Sequence, residues 1–274
     1  MPRFAANLSM LYNELDFLDR FAAAARDGFQ GVEFLFPYDY TPETLAALLA
    51  QHGLQQVLFN APPGDWNSGE RGTASLPGRE AEFRDGIARA IHYAQVLRCP
   101  RIHVMAGKPP AGITAAAAHA SYISNVRYAA QQAAAHGIHI LLEPINARDM
   151  PGFFLSRQDH AHALIAEIGE PNVKVQMDLY HCQIMEGDVL QPLQQYLPTG
   201  NVAHIQIANT PDRHEPKINN FQTGEINYAA AFDLIDSMGY TGWIGCEYKP
   251  RLQGQPTGES SATSMGLDWF KPYR

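Results

Sequence analysis

The chain has 274 residues, 46% of them hydrophobic and 18% charged, which gives it material for a sizeable core and excludes a disordered chain, a fibre or a disulfide mini-protein. Asp plus Glu outnumber Lys plus Arg by 28 to 20, a formal net charge of −8, which opposes non-specific attraction to nucleic acid or to an anionic membrane. The three cysteines, Cys99, Cys182 and Cys246, form no C-x-x-C pair and read as reduced, buried thiols suited to the cytoplasm.

The opening MPRFAANLSMLYNELDF is interrupted by Asn7, Asn13 and Glu14, so no signal peptide is expected. No apolar run approaches the ~18 residues of a membrane span, and AGITAAAAHA is too short and too polar at its edges. Short apolar runs bounded by turn residues predict eight strands: FAANL from Phe4, GVEFLF from Gly31, QVLFN from Gln56, RIHVMA from Arg101, IHILLEP from Ile138, VKVQMDL from Val173, VAHIQIA from Val202 and WIGCEY from Trp243. Between them the spacing turns helical, as in Leu45, Leu48 and Leu49, then Phe83, Ile87, Ile91, Ala94 and Leu97, and later Tyr228, Phe232 and Ile235. Thr41-Pro42 reads as an N-cap with Pro at the first helical position, and Ser156 with Asp159 as a capping box. Gly28, Gly53, Gly169 and Gly239 stand where helices would end.

Strand and helix alternating eight times over this length predict an α/β protein, a single (β/α)8 TIM barrel spanning residues 1–274. A doubly wound open sheet fits less well, because no strand is followed by G-x-G-x-x-G or a Walker loop. Longer loops are expected after the third strand (Ala61 to Gly78), the seventh (Asn209 to Asn227) and the eighth (Arg251 to Ser264), where a barrel builds its active site.

The strand ends are polar: Asn7, Glu33, Asn60, His103, Glu143, Asp178, Gln206 and Glu247. Carboxylates converging on one mouth repel one another when desolvated, and no matching set of strand-end Lys or Arg accompanies them. A divalent metal bound by Glu143, Asp178, Gln206 and Glu247 resolves the repulsion, and oxygen donors suit Mg²⁺ or Mn²⁺. His181 follows Asp178 by three residues in DLYH and is placed to touch substrate. Cys246 should point away from Glu247 on its strand, as packing.

RFAANLSMLY, GVEFLFPYDY, GDWNSGERG with LPGRE, LLEPIN, MDLYHCQIMEGD, HIQIAN, PDRHEP, TGEINY and GWIGCEYKP together resemble the hydroxypyruvate isomerase family of the xylose-isomerase-like barrels. The resemblance covers nearly the whole chain. It implies that Glu143, Asp178, Gln206 and Glu247 bind the metal, that Glu143 and Glu247 double as the catalytic acid/base pair, and that His181 and Arg213 bind substrate. Ketose epimerases of this kind usually carry His at the strand-seven ligand, so Gln206 fits the hydroxypyruvate isomerase branch. Two segments depart from that branch: KINNFQ between RHEP and TGEINY, and QGQPTGESSATS before LDWFKPYR.

The implied reaction interconverts hydroxypyruvate, a small-molecule 2-oxo-3-hydroxy acid, with 2-hydroxy-3-oxopropanoate (tartronate semialdehyde) through an enediolate, the two glutamates moving protons from different sides. A metal-assisted hydride shift is compatible with the same residues. Arg213 is the preferred partner for the substrate carboxylate, with Arg71 and Lys249 as other candidates, and Trp66 and Phe36 could close the site. Rival readings are a 2-oxotetronate isomerase or ketose 3-epimerase on the same site, a zinc phosphodiesterase acting at abasic DNA, and a non-catalytic sugar-acid-binding barrel. The acidic balance opposes the nucleic-acid reading. A homo-oligomer is implied only by resemblance.

Overall fold

A computed structural model describes residues 1–216, 224–255 and 261–273. Eight parallel strands close in sequence order into a barrel: β1 (Arg3–Asn7), β2 (Gly31–Phe34), β3 (Gln55–Asn60), β4 (Arg101–His103), β5 (His139–Leu142), β6 (Val173–Asp178), β7 (Val202–Ile207) and β8 (Trp243–Cys246). All eight predicted strands are present, and closure of β1 on β8 excludes the open-sheet alternative. No helix among the described residues is long and apolar enough to cross a membrane.

The helices are α1 (Arg20–Arg26), α2 (Pro42–His52), α3 (Glu80–Leu97), α4 (Ala115–Ala134), α5 (Gln158–Ile168), α6 (Leu179–Met185), α7 (Leu190–Tyr196), α8 (Tyr228–Ser237) and α9 (Ala262–Met265). The segment after β6 is thus split into two short helices rather than one. Thr41 caps α2 by accepting from the Thr44 N–H at 3.3 Å, with Pro42 in the first turn. The Ser156–Asp159 capping box does not form: α5 starts one residue later, and the Gln158 N–H donates instead to Glu186 Oε1 at 2.8 Å. A carboxylate brought in at the end of α6 satisfies the free amide, so the local hydroxyl is not needed.

Strand side chains alternate faces. On β1, β5, β7 and β8, Phe4, Ala6, Ile140, Leu142, Ile205, Ile207, Ile244 and Cys246 join the large core between sheet and helices. The alternate residues turn into the barrel, where Ala5, Val57, Leu58, Leu141 and Trp243 form a separate small apolar cluster. Above it the interior is polar and paired. Glu33 Oε2 lies 2.6 Å from His204 Nε2, Glu33 Oε1 accepts from Gln206 at 2.7 Å and from Asn7 at 2.9 Å, and Gln206 Oε1 accepts from Gln176 at 2.5 Å. Buried polar groups persist only when paired in this way. Gly245 makes room for the network, since a Cβ there would lie 2.3 Å from a Glu33 carboxylate oxygen.

Residues Lys217–Gln222 of the first loop departure lie outside the described residues, as do residues 256–260 of the second. The three cysteines are buried and unpaired with one another.

Candidate active site

Each site residue sits at the mouth because it closes a strand on the inward side. β5 stops at Leu142 with Pro144 two residues on, unable to donate to a ladder, and Glu143 between them turns inward. Asp178 ends β6 and caps α6: its Oδ1 accepts from the Tyr180 N–H at 2.8 Å, leaving Oδ2 turned toward the mouth. One helical turn later His181 returns over the same aspartate, with Nε2 3.6 Å from Asp178 Oδ2 and 3.8 Å from Glu143 Oε1. Glu247 stands one residue past β8 and two after Gly245, and so shares its inward face.

One ligand atom from each of Glu143, Asp178, His181 and Glu247 lies within 4.8 Å of all the others, and all four residues are buried. Desolvation pushes the three carboxyls up, that of Glu143 well above its ordinary value, Asp178 to about 6 and Glu247 to about 7; neighbouring carboxylates add to the rise. Arg213, on the loop after β7, opposes it from 2.5 Å to Glu247 and 4.0 Å to Asp178. Its backbone takes φ 56°, a left-handed conformation unusual for a side chain of this size, held by its N–H on Asn209 O and its carbonyl on Lys249 N–H.

The protonation of His181 follows from its neighbours. Asn146 Oδ1 accepts from the Asp149 N–H at 2.8 Å, so the amide must donate from Nδ2, which lies 3.1 Å from Asp149 Oδ2 and 2.6 Å from His181 Nδ1. Nδ1 therefore accepts. Burial holds the imidazole neutral well below its ordinary titration range, so its hydrogen resides on Nε2, the atom facing the carboxylates. His103 is likewise neutral, lowered by burial to about 3, with Nδ1 3.5 Å from Glu143.

The donor set suits a hard divalent cation. Glu143 Oε1 and Asp178 Oδ2 are buried and make no hydrogen bond among the described residues, and three carboxylates face a single guanidinium. Both ends of the Gln206 amide are engaged, by Glu33 and Gln176, while its carbonyl oxygen keeps a second lone pair.

Glu143, His181, Arg213 and Glu247 line a cavity of about 230 Å³, together with Asn60, Trp66, Arg71, His103, Met105, Asp149 and Met150. The structure brings Glu143, Glu247, His181 and Arg213, all named from the sequence, to one mouth. Lys249 is exposed and does not line the cavity, since it is Arg213 that turns inward from this corner. Trp66 lines the cavity and meets Phe36 edge-on at 5.0 Å. Asn146 and Asp149, which fix His181, lay in the quoted LLEPIN and just beyond it, and carried no separate signal.

Residues 21–273 match the xylose isomerase-like TIM barrel family. The chain is 56% identical to a 2-oxo-tetronate isomerase from Cupriavidus necator over 100% of this chain and 99% of that one. It is 47% identical to the hydroxypyruvate isomerase of Escherichia coli over 100% of both chains. A crystal structure described as an AP endonuclease, family 2, from Brucella melitensis superposes with a TM-score of 0.92 at 50% identity, covering 100% of both chains.

Proposed function

The chain belongs to the xylose isomerase-like TIM barrel family and is an isomerase by its full-length relatives, and we propose that it interconverts a short 3-hydroxy-2-oxo acid and its 2-hydroxy-3-oxo isomer. Hydroxypyruvate and tartronate semialdehyde are the three-carbon pair. The observation that carries this reading is the pair of buried glutamates, Glu143 and Glu247, presenting carboxylate oxygens within 4.8 Å of each other at the wall of the cavity.

A divalent cation, Mg²⁺ or Mn²⁺ by the hardness of the donors, would be held by Glu143, Asp178, Glu247 and the remaining lone pair of Gln206, and when bound it supplies Lewis-acid stabilisation for charge developing on the substrate's adjacent oxygens. One glutamate removes the proton from C3 and the other delivers a proton to C2, with the hydroxyl proton passing from O3 to O2. Each transfer contributes ~10²–10⁴-fold when the group is held in reach. His181 donates from Nε2 to a substrate oxygen, a role supported by the acceptor role of Nδ1 toward Asn146. Arg213 lies over the Tyr180 ring, 5.0 Å from its centroid, beside Glu247, where it serves the oxygens at the reacting carbons.

A second substrate is favoured by a specific observation: the 56% identical relative is named for the four-carbon 2-oxo-tetronate, which has the same reacting carbons. The endonuclease description of the Brucella protein transfers poorly. A net charge of −8 opposes DNA binding, and the cluster holds one His among three carboxylates.

The test is an NMR assay in D₂O of metal-stripped enzyme and of enzyme loaded with Mg²⁺ or Mn²⁺, offered hydroxypyruvate and, separately, 2-oxo-tetronate. Metal-dependent isomerisation with solvent deuterium in the product is expected. Product free of deuterium would replace proton exchange with a hydride shift or a shielded proton, and failure of the loaded enzyme on both acids would overturn the reading.

A further inference from the structure

We propose that Arg71, lying on Trp66, binds the substrate's carboxylate and makes the site selective for acids over uncharged ketoses; this rests on the 2-oxo-acid reading above. Two cations line the cavity, Arg71 and Arg213. Arg213 is committed to carboxylates, 2.5 Å from Glu247, 3.9 Å from Asp149 and 4.0 Å from Asp178. Arg71 makes no ion pair among the described residues. Its Nη1 donates to Trp66 O at 3.0 Å and Glu70 O at 2.6 Å, its guanidinium carbon lies 3.7 Å from the centre of the Trp66 ring, and Nε and Nη2 make no hydrogen bond among the described residues.

The position is built rather than incidental. Gly72, the next residue, has φ +111°, and a Cβ there would lie 2.1 Å from the Met105 carbonyl oxygen, so the loop is pressed against the segment after β4 as only glycine allows. The Gly72 N–H donates to Pro63 O at 2.8 Å, and Glu70 is clamped between Arg79 and the Asp65 N–H. Backbone, ring and two carbonyls thus hold the guanidinium before any ligand arrives, which lowers the ordering cost of binding.

Topology supplies the direction. In a ring of eight strands β3 stands opposite β7, so Arg71 on the loop after β3 faces Arg213 on the loop after β7 across the cavity. The carboxylates of β5, β6 and β8 repel the acid end of the substrate, and that end therefore turns toward the β3 side. There Asn60, 5% exposed and with its side-chain amide making no hydrogen bond among the described residues, lines the cavity as a second donor.

The experiment measures binding of glycerate, a non-isomerisable reduced acid, against glycerol by calorimetry on Mn²⁺-loaded wild type, Arg71→Lys and Arg71→Met, with Mn²⁺ affinity measured in parallel. Charge-assisted bonds of this kind imply a loss of ~10–100-fold in glycerate affinity for Arg71→Met, partial recovery in Arg71→Lys and no change in Mn²⁺ affinity. Hydroxypyruvate kcat/KM should fall in parallel, chiefly through KM. Glycerate binding that is absent in wild type, is unchanged in Arg71→Met, or is lost together with Mn²⁺ affinity overturns the proposal. Arg71-dependent glycerate binding by a wild type that isomerises neither oxo acid would keep this site and overturn the isomerase substrate reading alone.

Discussion

Replacing Glu247 by Gln tests whether the site is held at the expense of stability. The carboxyl is buried among Glu33, Asp178 and Arg213, and desolvation, only partly offset by Arg213, lifts it from 4.5 to about 7. A folded-state value above the unfolded one means the folded protein binds the proton more tightly, so the penalty is absent below about pH 4.5 and complete above about pH 7. Over that window the rise corresponds to ~3 kcal/mol. In metal-stripped protein, Glu247→Gln removes the charge and keeps the shape. The variant should therefore melt at nearly the wild-type temperature at pH 5 and roughly 6–12 °C above it at pH 8, taking ~2–4 °C per kcal/mol for a chain of this size. Scanning calorimetry of both proteins in EDTA at the two pH values provides the measurement, with isomerase activity expected to be lost at both. A variant less stable than wild type at pH 8, or a difference independent of pH, would show that Glu247 stabilises the empty barrel through Arg213 and refute the reasoning.

Other outcomes follow from the same geometry. Mn²⁺ should raise the wild-type melting temperature more at pH 8 than at pH 5, because protons compete for Asp178 and Glu247 below about pH 6 to 7; equal gains at both pH values would place the ion elsewhere. Glu143→Gln should lower kcat by ~10²–10⁴-fold with the fold intact by circular dichroism, and wild-type rates would remove it from the proton-transfer pair. Gly245→Ala puts a methyl 2.3 Å from Glu33 and should cost ~1–3 kcal/mol in urea unfolding while lowering turnover; wild-type behaviour would mean that Glu33 is not held over β8. Asn146→Ala removes the donor to His181 Nδ1, and ¹⁵N NMR of the imidazole should then show the hydrogen no longer confined to Nε2.

Much of this was legible without coordinates, since strands and turns are written locally. Period, punctuation and length specified eight strands and their order, and the polar residue at the end of each apolar run marked the mouth. Glu143, Asp178 and Glu247 could be grouped from sequence because a barrel brings successive strand ends to one face whatever the distances between them along the chain. What the tertiary structure decided depends on pairs far apart in sequence. The Glu33–His204 contact spans 171 residues, Gln206 reaches across to Glu33 over 173, and the cap of α5 comes from Glu186 rather than the local Ser156. The choice between two arginines belongs to the same class. Arg213 and Arg71 look alike as loop cations, and only the folded chain shows one spent on carboxylates and the other stacked on a ring, with N–H groups that have no partner among the described residues, because charge pairing is a property of neighbours in space.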